Sequence, residues 1–293
     1  MILSAHNKVT YGQISENHVG GAFEYALIPS LGETNLEKYI FSIDASKNMN
    51  SAKLELGLDY SALTFSFYDH RVSLSMDSYE KMHTLQPEIG YQQDFGKKWA
   101  MSVSLAPMLS SNFKNGPNSE DFIFNWSALV SKKWGKGDFP VSLTVGLGRG
   151  VVLGEPGLFP ILSIKGKITP KWRYTLGFPY SRAVYEIDEK HSLGTKALVS
   201  GVYANNSETV TINGLENLAN TKLTYSEIDL GLEYNYHMSS GFTTIIRVGF
   251  LIANNLEVLD NDNNPLFDFE ANSSPYIAMG LKYSLNLINQ LHK

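Results

Sequence analysis

The chain has 293 residues, of which 43% are hydrophobic, 12% aromatic and 18% charged, so it can build a folded core and is not a disordered polymer. Its net charge of −5 comes from 24 basic and 29 acidic residues without a basic block, which excludes a typical nucleic-acid-binding surface. The absence of cysteine excludes disulfide frameworks and thiolate metal sites.

The hydropathy of the chain excludes helical membrane spans. No apolar run approaches the roughly 18 residues that a transmembrane helix requires. Residues 1–11 have neither the basic segment nor the apolar segment of a signal peptide, so we expect none within the numbered chain.

The dominant pattern is alternation of apolar and polar residues with period two, which predicts β-strands. The expected strands, in chain order, cover residues 22–29, 39–46, 53–67, 83–95, 98–110, 122–133, 139–152, 159–169, 172–178, 181–187, 192–204, 223–238, 242–256 and 274–287. These make 14 strands, with 12 as the alternative if the N-terminal pair lies outside the wall. An even number of strands places both chain termini in the periplasm.

One face of each predicted strand is apolar over about five successive positions, enough for the roughly 9 to 11 tilted residues that cross a bilayer. These faces end in aromatic residues such as Trp99, Trp172 and Phe242, whereas the opposite faces are rich in Gly, Ala and Ser. The pattern favours an all-β fold, an antiparallel up-and-down transmembrane β-barrel of about 12–14 strands, with the apolar faces toward lipid. A soluble barrel or sandwich is the alternative, because its strands also alternate.

Strand signals continue along the chain without a linker, which predicts one barrel domain. We expect residues 1–21 to form an N-terminal periplasmic segment, residues 22–288 the barrel, and residues 289–293 a C-terminal tail. The two short strands beside Pro179 predict a hairpin and a low stretch of wall. Within residues 53–67 the apolar phase changes from even to odd positions, which predicts a bulge near Ser61.

Charged residues on the predicted inward faces are the candidate lumen-lining or pore-lining residues. They are Glu55, Asp59, Lys165, Lys167, Arg173, Asp229, Glu233, Arg247 and Lys282. Because the outward residues of two adjacent strands are all even-numbered, cross-strand partners have an even sum, and a sum of 480 places Glu233 opposite Arg247. These charges fit either a polar constriction that selects solutes or a salt-bridge network that fills a narrow barrel.

Lys165, Lys167 and Arg173 flank one predicted periplasmic turn. Two interpretations remain open for them. They form an anion site at the periplasmic mouth, or they reach water and pair with Glu186 or Glu88.

Two motifs resemble chemical sites only in part. His237 precedes Ser239 in a predicted tight turn without an oriented carboxylate, so we expect no catalysis there. The segment 260–264 alternates Asp and Asn like a calcium loop, but Pro265 stands where an EF-hand needs Gly and Asn272 where it needs Glu. We therefore expect an Asx-rich turn and no metal site.

One stretch of the sequence resembles a known family. The resemblance rests on Leu158-Phe159-Pro160, Trp172 and Leu176-Gly177-Phe178-Pro179, followed by a strand, a polar turn and a strand. Over about residues 35–287 the chain resembles a family of uncharacterised outer-membrane β-barrel proteins, a domain of unknown function. The resemblance implies an outer-membrane barrel and supplies no activity or catalytic residues.

The sequence thus predicts a non-enzymatic β-barrel of the bacterial outer membrane, acting as a narrow channel or as a structural or accessory subunit of an envelope complex. We expect no cofactor, and as partners the outer-membrane lipid and, for an accessory subunit, other envelope proteins. One alternative is a barrel hydrolase acting on lipid or peptide, with His70, Asp69 and His83 near one external loop as candidates. Another is a soluble lipocalin-like carrier, whose apolar faces would point inward.

Overall fold

Fourteen strands close into an antiparallel barrel wall. The structure, a computed structural model, describes residues 18–68, 76–96, 98–135, 139–211 and 217–286. Its strands are β1 (His18–Ile28), β2 (Thr34–Met49), β3 (Ala52–Phe67), β4 (Lys81–Phe95), β5 (Trp99–Ser111), β6 (Phe122–Trp134), β7 (Val141–Gly150), β8 (Gly157–Lys167), β9 (Trp172–Phe178), β10 (Tyr180–Glu186), β11 (His191–Asn205), β12 (Lys222–His237), β13 (Phe242–Leu259), β14 (Pro265–Asp268) and β15 (Ser274–Asn286). Each wall strand pairs with its neighbour in sequence, β15 returns to β1, and β14 pairs only with β13. Among these residues, no helix is long and apolar enough to cross a membrane.

The apolar side chains of the strands point outward. Ile246 is 42% exposed, Leu230 41% and Leu281 44%, on three neighbouring strands. Large apolar side chains are exposed in the same way on the other wall strands except the short β10, and they form an outer belt that suits hydrocarbon rather than water. The predicted orientation is confirmed, and the lipocalin-like alternative, which required the opposite orientation, is wrong.

The two ends of the barrel differ in their connections. We call the end that holds the β2–β3, β8–β9 and β12–β13 turns the turn end, and the opposite end the loop end. The predicted hairpin at Pro179 is confirmed, with seven residues in each of its strands. The N-terminal pair belongs to the wall, so the 14-strand prediction is confirmed, and β1 begins at His18, four positions before its predicted start at Ala22. Most of the predicted segment 1–21 and all of the predicted tail 289–293 lie outside the described residues.

The bulge predicted near Ser61 is wrong. β3 pairs with both of its neighbours in an unbroken register through this position. Odd-numbered residues of β3 face inward along the whole strand, and Leu63 and Phe65 are buried. The apolar phase therefore changes because the interior itself changes, from polar near the turn end to apolar near the loop end.

The apolar half of the interior is filled by a four-stranded part of the barrel that bends inward, which we call the flap. It consists of residues 199–205 of β11, 222–226 of β12, 255–259 of β13, and β14. On one side the ladder between β10 and β11 ends at the Tyr180–Leu198 pair. On the other side the ladder between β13 and β15 ends at the Leu251–Ser274 pair, so the flap leaves both wall neighbours.

The flap crosses the lumen. At its tip Asn205 pairs in parallel with Ser111 of β5, although five strands separate β11 from β5 around the wall. The bend coincides with a register shift between Ser226 and Ile228 in the β12–β13 ladder, where the bulge gives the sheet extra curvature.

Both faces of the flap are packed against the wall. One face forms a core with β1–β4, built from Val202, Ala204, Leu223, Tyr225, Leu256 and Val258 of the flap and from Ile28, Leu36, Leu63, Phe65 and Met82 of the wall. The other face contributes to a smaller core that consists of Met108, Ile123, Val151, Tyr203 and Leu259. The flap thus closes the loop half of the lumen.

Candidate functional site

The candidate site is a network of buried charges in the middle of the lumen, below the flap, which we call the central charge network. It contains four acidic and four basic side chains, namely Glu24, Glu227, Asp229, Glu233, Lys38, Arg182, Lys196 and Arg247. The charges balance, as expected where burying an unpaired charge would be costly.

Arg247 lies at the centre of the network and is 2% exposed. It faces Glu233 across the β12–β13 ladder, as the even-sum rule predicts, and this prediction is confirmed. Its guanidinium lies 2.9 Å from Glu24 Oε1 and 3.5 Å from Glu233 Oε2. Arg182 of β10 also donates to Glu233, with its Nε 2.8 Å from Oε1. These four side chains join three separate parts of the wall through one chain of ion pairs.

A second set of pairs surrounds Asp229. Lys196 Nζ lies 2.7 Å from Asp229 Oδ2, and the Tyr276 hydroxyl donates to Oδ1 at 2.6 Å. Nearer the flap, Lys38 of β2 pairs with Glu227 of β12. Together these contacts fasten β2, β11, β12 and β15 across the lumen.

Little space remains inside this network. The cavity between it and the flap has a volume of about 50 Å³ and is lined by side chains that include Glu24, Lys38, Lys196, Tyr225 and Arg247. A water molecule needs about 10–15 Å³, so the cavity holds only a few waters.

The remaining predicted lumen residues lie nearer the turn end. Glu55, Asp59, Lys165 and Lys282 are on inward-facing strand positions, partly open to solvent. Glu55 pairs with Lys53. This half of the lumen is a polar vestibule that ends at the central charge network.

Of the three basic residues beside the β8–β9 turn, Arg173 forms an ion pair with Glu186 at 2.6 Å. Lys165 faces inward on β8, and Lys167 is exposed at the turn end. The pairing interpretation is therefore confirmed for Arg173.

Sequence reasoning missed five members of the central charge network, namely Glu24, Lys38, Arg182, Lys196 and Glu227. Each lies on an inward strand position, which a period-two reading identifies. Their partners lie across the lumen or several strands away, and an even-sum rule relates only adjacent strands. The sequence does offer one indication: charged residues are rare in these strands, so each charged residue at an inward position is a candidate for an ion pair.

A second polar cluster, which we call the loop-end clasp, holds the tip of the flap. Asn205 Nδ2 donates to Asp121 Oδ1 at 2.7 Å. Lys222 Nζ donates to Asn205 Oδ1 at 2.9 Å and pairs with Glu120 Oε2 at 3.2 Å. Asp121, Asn205 and Lys222 are buried, so these bonds are shielded from water.

The residues of the two partial motifs, His237 and the segment 260–264, make structural contacts. His237 interacts through its ring nitrogens with Ser192 Oγ at 3.4 Å and Thr243 Oγ1 at 3.0 Å. Asp260 accepts hydrogen bonds from the backbone and side chain of Asn264, which hold the pKa of its carboxyl below the usual value, as expected of an Asx turn.

Of the candidates for a hydrolase, only His83 lies within the described residues; His70 and Asp69 do not. His83 Nδ1 hydrogen-bonds to the Tyr60 hydroxyl at 2.8 Å, and its ring stacks on Tyr60 and Phe113. These contacts give His83 a packing role at the loop end of the wall.

A closed antiparallel wall, an apolar outer belt and a lumen that is polar in its turn-end half define a β-barrel of the bacterial outer membrane. The family model for a domain of unknown function, DUF6268, matches residues 38–284. The chain belongs to this family, and the predicted resemblance is confirmed.

Several solved barrels are similar to this chain in overall course. An outer membrane channel from Pseudomonas putida F1 has 9% identity and a TM-score of 0.44, with 95% of this chain and 99% of that chain covered. The toluene transporter TbuX from Ralstonia pickettii has 6% identity and a TM-score of 0.44, with 94% and 90% covered. LpxR from Salmonella typhimurium has 8% identity and a TM-score of 0.38, with 90% and 99% covered. No curated protein sequence matches the chain.

Proposed function

We propose that this protein is a non-enzymatic, narrow channel of the outer membrane that is closed in the described conformation. The observation that carries the proposal is the flap, which blocks the lumen after leaving both of its wall neighbours. A barrel of about eight strands is filled by its own side chains, whereas wider barrels enclose a lumen that needs a separate plug to close it. With 14 strands, this barrel belongs to the wider kind.

The polar lining supports small polar solutes as the cargo. The vestibule at the turn end carries charges of both signs, including Asp59, Lys165 and Lys282, and leads to the central charge network. Rings of charged side chains are a common means of selecting ions and small solutes.

Single-channel recording in planar bilayers tests the proposal. The wild-type protein is expected to stay closed with rare openings, and Lys222→Ala is expected to raise the open probability about tenfold or more. This substitution removes charge-assisted hydrogen bonds that hold the flap tip, each contributing roughly 1.5–3 kcal/mol. Lys171→Ala is the matched control, because this exposed lysine lies at the turn end, far from the flap, where it donates to the Ile187 carbonyl and lies over the Tyr185 ring.

A structural or accessory role is the second candidate, supported by the balanced ion pairs that fill the centre of the lumen. It predicts no conductance in the wild-type protein or in Lys222→Ala, although both variants insert as heat-modifiable barrels. That result would refute the channel proposal.

A further inference from the structure

The barrel wall has a gap between β8 and β11 at the loop end. The β9–β10 hairpin that stands between these strands stops at Pro179, whose carbonyl accepts a hydrogen bond from the Val199 amide. Beyond that point residues 157–161 of β8 have no ladder partner on this side within the described chain. Residues 199–205 of β11 have none there either, apart from the bridge at the flap tip.

The gap lies at the depth of the hydrocarbon. Each strand of the hairpin has seven residues, fewer than the roughly 9 to 11 that a tilted strand needs to cross the bilayer. The hairpin starts from Trp172 at the aromatic rim of the turn end, so its shortfall falls on the loop-end part of the belt. Leu158 and Leu153 beside the gap are 66% and 63% exposed, which suits contact with lipid chains.

The loop between β7 and β8 closes the gap. Val151 and Val152 are fully buried, and Gly154 lies against the face of the flap that carries Thr224. The Thr224 hydroxyl donates to the Gly154 carbonyl at 2.8 Å. Residue 201 of the flap is a glycine because a Cβ there would lie 2.2 Å from the Val151 carbonyl oxygen. One hydrogen bond and close packing therefore hold this loop in place.

Apolar surfaces lie on both sides of the β7–β8 loop, one on the outer wall of the barrel and one in its interior. On the outer wall, directly below the hairpin tip, a groove of about 640 Å³ is lined by side chains that include Leu176, Ala183, Ala197, Leu232 and Phe250. Behind the loop lies the smaller apolar core that contains Met108, Ile123 and Tyr203.

We propose that the gap is a lateral opening, with the β7–β8 loop as its latch, through which an acyl chain of a membrane lipid passes from the outer groove into the smaller apolar core behind the loop. The groove and the opening face the bilayer, and most of the surface that lines the groove is apolar, although Ser181 and Thr195 also contribute to it. A hydrocarbon chain is therefore the ligand that fits this route. This route is separate from the axial passage for polar solutes and does not depend on conductance.

Photolabelling tests the opening. The protein is reconstituted in phosphatidylethanolamine vesicles that contain a phospholipid with a diazirine on one acyl chain, and labelled residues are identified by mass spectrometry. Outward residues such as Leu281 are labelled in every variant. In the wild-type protein we expect weaker labelling of Met108, Ile123 and Tyr203, which lipid can reach only when the latch opens.

Two substitutions are expected to raise the interior labelling. Gly201→Ala displaces the loop by the clash with Val151, and Thr224→Val removes the hydrogen bond to Gly154 while keeping the side-chain shape. For loss of one hydrogen bond the increase is about two- to tenfold. Gly90→Ala is the matched control, because a Cβ there comes no closer than 3.5 Å to the neighbouring atoms.

If Gly201→Ala fails to form a heat-modifiable barrel, the Thr224→Val variant decides. Labelling confined to the outward belt in the wild-type protein and in the folded variants would overturn the proposal. Interior labelling that Gly90→Ala raises as much as Thr224→Val would also overturn it, since the loop would not be the latch.

Discussion

Arg247 shows how single side chains stabilise the interior of this barrel. Its guanidinium is buried and is balanced by Glu24 from β1 and Glu233 from β12. A buried ion pair contributes little beyond what a well-packed apolar pair would, but removal of one partner leaves the other charge without compensation. We therefore expect the network to favour this arrangement of strands across the lumen over other arrangements, more than to add to the net stability of the barrel.

We predict that Arg247→Ala destabilises the barrel by about 3–5 kcal/mol, because Glu24 and Glu233 would lose their shared partner. Urea unfolding in lipid vesicles measures the loss. Arg173→Ala is the control, since the Arg173–Glu186 pair is partly open to solvent, with side chains 52% and 27% exposed, and is expected to contribute less than about 1 kcal/mol. Equal effects of the two substitutions would contradict the account of the network.

For single side chains, the sequence predicts those contacts that the register of two adjacent strands determines. The Glu233–Arg247 pair follows from the parity of two adjacent strands. The contacts of Arg247 with Glu24 and of Arg182 with Glu233 do not follow from it. They depend on the closure of the barrel and on the distance across its lumen, which are properties of the complete wall.

β3 shows how one strand records a change of environment. Its inward positions are polar at Glu55 and Asp59 and apolar at Leu63 and Phe65, without any break in register. A bulge and a plugged interior produce the same sequence pattern, so the pattern alone does not separate them. In the structure the interior is plugged, because the flap packs against the apolar second half of the strand.

We predict that Phe65→Ala destabilises the barrel by about 3–5 kcal/mol, since it opens a cavity in the core between β3 and the flap. Leu56→Ala on the same strand is the control. Leu56 is outward and half exposed, and lipid chains fill the space that it leaves. Thermal gel-shift midpoints compare the two variants. A larger shift for Leu56→Ala would mean that the inward and outward faces are reversed.

For the whole molecule, the sequence predicts the barrel wall well but does not predict the flap that fills its lumen. The number of strands, their order and the outward orientation follow from period two and from the length of the apolar faces. The flap could not be predicted in this way, because residues 199–205 and 222–226 alternate like any other strand. Only residues 199–205 differ, since they carry apolar side chains on both faces, Val202 and Ala204 on one and Val199 and Tyr203 on the other. Such double-sided strands indicate burial between two layers, and here the second layer is the opposite wall.

The pairing of Asn205 with Ser111 tests the central claim, that the flap crosses the lumen, most directly. The chain has no cysteine, so Ser111→Cys combined with Asn205→Cys provides a single possible disulfide. Bridged strand residues have Cα atoms at a distance that a disulfide can span. In a barrel without a flap, six strand-to-strand spacings of about 4.8 Å each would separate these residues around the wall.

We expect oxidation of this double variant, folded in lipid, to give the intramolecular disulfide in high yield, detected by mass spectrometry of the cleaved chain. Ser111→Cys with Ser192→Cys, which lies at the turn end of the same strand β11, is expected to give none. If the Ser111–Asn205 pair stays reduced in a barrel that passes the heat-modifiability test, the flap does not cross the lumen and the account of the closed channel is wrong.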